Sequence, residues 1–191
     1  MQAYKTYEVM NKDNMRVKLL IDELAHNDNP LNWNNDVIEV VISQDRYMGR
    51  MELPFELENV IAYCENDDAK VKAIQKHYER QGMIVYQGSW RGYCQGDWRE
   101  ALYVGDSKVW ELEQLKSFVE KCYFAWLRGD VYGIVLEEKY FTGYDNEGEK
   151  HQREEWEVQE SIWGIIDDNL WSVEQVQVYV NEYFGSEFSL S

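Results

Sequence analysis

The side chains best suited by type and spacing to do chemistry are paired carboxylates: Glu137 and Glu138, Glu154 and Glu155, Asp167 and Asp168. Two carboxyl groups about 5–10 Å apart across a cleft can hydrolyse a glycosidic bond, one as the acid and the other as base or nucleophile. Yet 36 Asp and Glu among 191 residues produce such pairs by chance, and the sequence singles none of them out. Cys94 stands beside Asp97 and would be a nucleophile if a base were near, but a packed structural cysteine is the simpler reading. Cysteines 64, 94 and 122 form no CxxC, and histidines 26, 77 and 151 are far apart with no HExxH, so no metal site is expected. "GSWRG" (88–92) places its serine one position too early for a nucleophile elbow. Gly88, Gly92 and Gly96 fit neither the dinucleotide nor the Walker spacing, so no cofactor is expected. The expectation is a protein without enzymatic activity. The alternative is a small hydrolase or transferase using one carboxylate in a cleft lined by Trp and Tyr.

Charge is the stronger signal. The formal net charge is −17, from 36 acidic and 19 basic residues. Such a charge repels nucleic acid and anionic lipid, so direct nucleic-acid binding and membrane binding are not expected, and a partner held by charge should be basic. The charge is also uneven, because residues 130–191 hold fifteen acidic and three basic side chains. The first residues, "MQAYKTYEVMNKD", are polar, and no apolar run approaches the roughly 20 residues of a membrane-spanning helix. The chain reads as cytoplasmic, with reduced thiols.

These side chains need elements to position them. "AYKTYEVM" reads as a strand, "MRVKLLIDELAH" has mixed periodicity, and "NDNPLNWNND" (27–36) reads as a loop. "VIEVVISQ" (37–44), "MIVYQGSW" (83–90) and "REALYVGD" (99–106) read as strands. "FELENVIAYCE" reads as a helix or helical turn. The next helix is capped by Asp67 or Asp68, carries the stripe Val71, Ile74, Tyr78 and stops at Gly82. One helix is expected over 109–130, on Leu112, Leu115, Val119, Cys122 and Trp126, with Gly129 as its stop. A long hairpin turns at "DNEG" (145–148), and a helix over 172–185 is capped by Ser172. In "GSWRGYCQGDW" (88–98), Gly88 and Gly92 are read as turn or bulge positions, and Tyr93 and Trp98 as packing faces or partner contacts. The strand pairs look hairpin-like, which predicts an α+β fold with a twisted antiparallel sheet and flanking helices. A single domain over 1–191 is expected, with 1–50 open as an N-terminal subdomain or extension.

"EEWEVQESIW" (154–163) lies on the second hairpin arm. Simple alternation sends Glu154, Trp156, Val158, Glu160 and Ile162 to one face, and Glu155, Glu157, Gln159 and Ser161 to the other. Same-face residues stand about 6.8 Å apart, near the spacing of successive phosphates on an extended DNA strand. Glu137 and Glu138 on the first arm, Glu147 and Glu149 at the tip, and Asp167 and Asp168 beyond the second arm extend the negative surface. Such a row resembles a phosphate backbone and suits a protein that grips DNA with Lys and Arg.

"GYCQGDW" (92–98), "RGDVYG" (128–133) and "EEWEVQESIWG" (154–164) together resemble a pattern in small acidic accessory proteins of bacteriophages and mobile elements, over roughly 90–165. The resemblance implies an anti-defence role of the anti-CRISPR or antirestriction type. A DNA-like surface would occupy the basic groove of a host nuclease, a CRISPR effector or a restriction enzyme, in the cytoplasm of a bacterial host. It carries over no individual binding residue. A homodimeric regulatory module, held by exposed aromatics, is a further alternative.

Overall fold

The computed structural model describes residues 4–10, 12–33, 37–44, 55–92, 98–146, 149–166, 170 and 172–191. The fold is α+β, with antiparallel sheets flanked by helices, as the hairpin-like strand pairs predict. The chain forms two compact units, one from Met1–Ala25 with Gly129–Ser191 and one from His26–Arg128.

In the first unit, β1 (Lys5–Glu8), β2 (Met15–Ile21), β6 (Val131–Asn146) and β7 (Glu149–Ile166) form a sheet in the order β1-β2-β6-β7. Alternation in β2 and β6 sends Val17, Leu19, Ile134 and Leu136 to one face, all 2% exposed or less, where they pack in one cluster with Val176 and Val180 of α6 (Val173–Tyr183). Each such burial contributes about 1.5–3 kcal/mol. Ser172 caps α6 as expected, its Oγ accepting from the Gln175 N–H at 3.4 Å. The C-terminal residues run beside β1: the Met10 N–H donates to the Ser189 carbonyl at 2.7 Å and the Ser191 N–H to that of Glu8 at 3.1 Å.

In the second unit, β3 (Val37–Gln44), β5 (Trp98–Asp106) and β4 (Met83–Arg91) form a sheet in the order β3-β5-β4. β5 is central and buried on both faces, which explains the unbroken apolar run "ALYV". Leu102 and Val104 pack with Leu57 of α2 (Phe55–Ile61) and with Ile74 and Tyr78 of α3 (Asp67–Glu79). Ala101 and Tyr103 face the opposite way, toward Leu115, Val119, Tyr123 and Phe124.

Four local expectations change. The loop over 27–36 contains a one-turn helix, α1 (Pro30–Trp33), helped by Asn29, whose Oδ1 accepts from the Leu31 N–H at 2.9 Å. The cap of α3 is Asn66, accepting from the Ala69 N–H at 2.9 Å, and Asp67 and Asp68 occupy the first turn. The helix expected over 109–130 runs from Leu112 and is not uniform. A π-helical turn, Val119–Tyr123, separates α4 (Leu112–Phe118) from α5 (Phe124–Arg128). Gly88 is no turn: it lies inside β4, where a Cβ would stand 2.9 Å from Tyr103 Cε2 and 3.0 Å from Phe124 Cζ. Gly82 and Gly129 do end their helices with positive φ, 78° and 81°. Among the described residues no helix is long and apolar enough to cross a membrane.

Candidate functional site: the acidic face of the long hairpin

β6 and β7 pair from Val131–Ile166 to Asn146–Glu149, so the predicted long hairpin is present. Two irregularities interrupt its register. Leu136 faces Glu160 but Glu137 faces Val158, so Gln159 is an extra residue in β7. Tyr132 faces Ile165 but Ile134 faces Ile162, which leaves a second bulge beside Gly164, at φ 75°. Simple alternation along "EEWEVQESIW" therefore fails. An extra residue flips every side chain beyond it. Glu160 and Ile162 join Glu155 and Glu157 on the helix-facing side of the sheet, and Ser161 joins Glu154, Trp156 and Val158 on the other.

The helix-facing side becomes acidic where its apolar stretch ends. It carries Glu160 opposite Leu136, and beyond that pair Glu138 and Tyr140 on β6 and Glu157 and Glu155 on β7. Glu138 and Glu157 are direct cross-strand partners. Like charges placed so destabilise a sheet by up to about 1 kcal/mol. Glu138 accepts from Asn14 Nδ2 at 2.8 Å, and Glu155 from the Tyr140 hydroxyl at 2.8 Å. That bond raises the Tyr140 pKa. Among the described residues Glu138, Glu157 and Glu160 have no ion-pair partner.

The opposite side is neutralised. Glu137 is buried there, with Arg16 Nε at 2.7 Å and Lys18 Nζ at 3.0 Å. Arg16 also stacks on Trp156, 3.8 Å from the ring centroid, and Lys139 pairs with Glu154 at 2.9 Å. Trp163 lies flat on Gly133, where any Cβ would strike its ring. Lys18, Leu20, Val135, Glu137, Val158, Ser161 and Trp163 line an open recess of ≈ 260 Å³.

Of the residues expected to bind a partner, Glu138, Glu155 and Glu157 share one face, while Glu137 is on the other and already satisfied. Glu149 is the first residue of β7, and its side chain lies outside the described residues. Glu147, Asp167, Asp168 and Tyr93 also lie outside them, as do Cys94 and Asp97. Trp98 opens β5 in the second unit, half-buried and paired with Arg91. Glu160 is not among the expected residues, because a bulge leaves no mark in an alternation pattern.

The second unit holds a partly buried polar cluster that the sequence does not announce. The Glu39 carboxylate on β3 accepts from Arg99 Nη1 at 2.9 and 3.2 Å, the Tyr103 hydroxyl at 3.1 Å and the Tyr123 hydroxyl at 3.1 Å. The π-helical turn presents Tyr123 to this cluster. Burial, and then the Glu39 charge, push both tyrosines far above their usual pKa. Burial opposes the Arg99 charge, but Glu39 and the tyrosines more than offset it, so its pKa is raised. Both Glu39 oxygens are occupied, and the cluster ties β3, β5 and the helix together.

Comparison with protein-family models, with curated proteins and with solved structures gives no match to this chain.

Proposed function

We propose that this protein is a non-catalytic inhibitor that binds a basic partner through the acidic face of its hairpin. The partner is a nucleic-acid-directed defence nuclease of a bacterial host, a CRISPR effector or a restriction enzyme, and the hairpin occupies its DNA groove. The observation that carries the reading is the direct cross-strand pairing of Glu138 with Glu157, neither with an ion-pair partner among the described residues. A sheet selected for stability alone places opposite charges there. The neighbouring Glu155 and Glu160 build a negative surface that a phosphate-binding groove would accept. The size and overall charge of the chain, and its resemblance to phage accessory proteins, agree with this reading.

The test is capture of partners from bacterial lysate at low salt, elution at high salt, and a cleavage assay of the eluted nuclease. Inhibition that weakens steeply with salt, and is lost in Glu138→Lys/Glu157→Lys, supports the proposal. A folded double variant that inhibits as well as the parent refutes it.

A further inference from the structure

β7 is an edge strand: the sheet order ends on it, and among the described residues no strand pairs with its outer side. From Glu157 to Ser161 every residue is exposed. Every second residue of such an edge turns its N–H and C=O outward. Charge and bulges are the usual protection of edges, but on this edge the carboxylates without an ion-pair partner, Glu157 and Glu160, lie on one face only, since Glu154 on the other is paired with Lys139. Toward the helix side it presents Glu155, Glu157 and Glu160. Toward the other it presents the Lys139-paired Glu154, then Trp156, Val158 at 55% exposure and Trp163 at 41%. The recess of ≈ 260 Å³ opens beside the strand, between Val158, Ser161 and Trp163.

We propose that β7 accepts an added strand from the partner, an extended segment in which basic and apolar residues alternate. This rests on the inhibitory reading above and specifies its binding mode. The alternation follows from charge complementarity. Lys or Arg of the incoming strand would stand beside Glu155 and Glu157, and its apolar residues beside Trp156 and Val158. The bulge at Gln159 ends the regular ladder, so pairing runs along Glu154–Val158. The next apolar side chain enters the recess, which has room for one aliphatic or aromatic group. A second copy of this chain would set Glu against Glu and is disfavoured.

The probe is a short peptide of strictly alternating lysine and valine, added to the full chain. Its comparator has the same side chains but alternate backbone nitrogens methylated, which removes ladder donors and keeps the charge. The expected result is slowed amide exchange in Glu154–Val158 with the first peptide, and about tenfold or more weaker binding of the methylated one. Equal binding of the two peptides overturns strand addition, because charge alone then explains it, and leaves the inhibitory reading intact. No binding of either peptide also overturns it. Failure of nuclease inhibition is a separate readout and would count against the proposed function instead.

Discussion

Replacing Glu39 with Ala should destabilise the second unit more than any surface change. The substitution removes the acceptor of Arg99, Tyr103 and Tyr123 together. The Arg99 side chain is 15% exposed and would keep its charge without a counter-ion. Breaking a buried ion pair from one side costs about 3–5 kcal/mol. For a chain of this size each kcal/mol lowers Tm by about 2–4 °C, so the expected fall is about 6–20 °C. Urea unfolding followed by circular dichroism gives the free energy, and a thermal scan gives Tm. The control is Glu39→Met/Arg99→Met, which removes both charges and fills the space with apolar atoms. It should recover most of the loss, since an apolar replacement of a buried pair is often neutral or better. If Glu39→Ala stayed within about 1 kcal/mol of the parent, a largely desolvated and uncompensated Arg99 would be untenable. If the double variant were no better than the single one, the loss would come from packing and not from charge.

Glu157→Lys should convert the Glu138–Glu157 repulsion into attraction, raising stability by a few tenths to about 1 kcal/mol at low salt while weakening inhibition; a gain that persists at 1 M salt contradicts its electrostatic origin. Tyr86, Tyr103 and Tyr123 keep their protons in the fold well above the ordinary value of 10.0, Tyr86 through burial and its 2.5 Å bond to Glu120. The unfolded chain ionises them near 10, so their stabilisation is complete below pH 10 and is lost as pH rises above it, by up to about 1.4 kcal/mol per pH unit for Tyr103 and for Tyr123 and by less for Tyr86, whose bond to Glu120 is exposed to solvent screening. Urea titrations between pH 9 and 11 measure this slope, which Tyr103→Phe should reduce. Gly133→Ala should push Trp163 off the sheet and cost about 1–3 kcal/mol, whereas in a Trp163→Ala background the same change should cost little; equal costs in both backgrounds would rule out that contact. Asn66→Ala should cost about 1 kcal/mol by removing the α3 cap, read as a lower urea midpoint with an unchanged slope.

What was legible in the sequence is what neighbouring residues decide. Ser172 starts α6, Gly82 and Gly129 end helices, and the apolar run over 99–106 marks a strand. Features set by distant partners were not legible. Arg99 and Tyr123 meet Glu39 from 60 and 84 positions away, and Arg16 meets Glu137 from 121. The π-helical turn hides for a related reason. The expected stripe used Cys122 and Trp126, both only half-buried, whereas one extra residue in the turn brings Tyr123 and Phe124 inward. The bulge at Gln159 changed the candidate site most, because a strict period of two assigns Glu160 and Ile162 to the wrong face.

Along the chain, the residues of the second unit are synthesised between the two segments of the first. Every strand of the β3-β5-β4 sheet lies between residues 26 and 128, so the ribosome delivers that sheet as a continuous stretch. β1 and β2 emerge earlier, yet β2 needs β6, which begins at Val131. A two-stranded hairpin alone is barely stable in water. Val17 and Leu19, both fully buried at the end, must therefore stay wet while more than a hundred residues are translated. A nascent chain arrested before Val131 would display an orphan apolar hairpin, a natural target for chaperones and proteases during that interval.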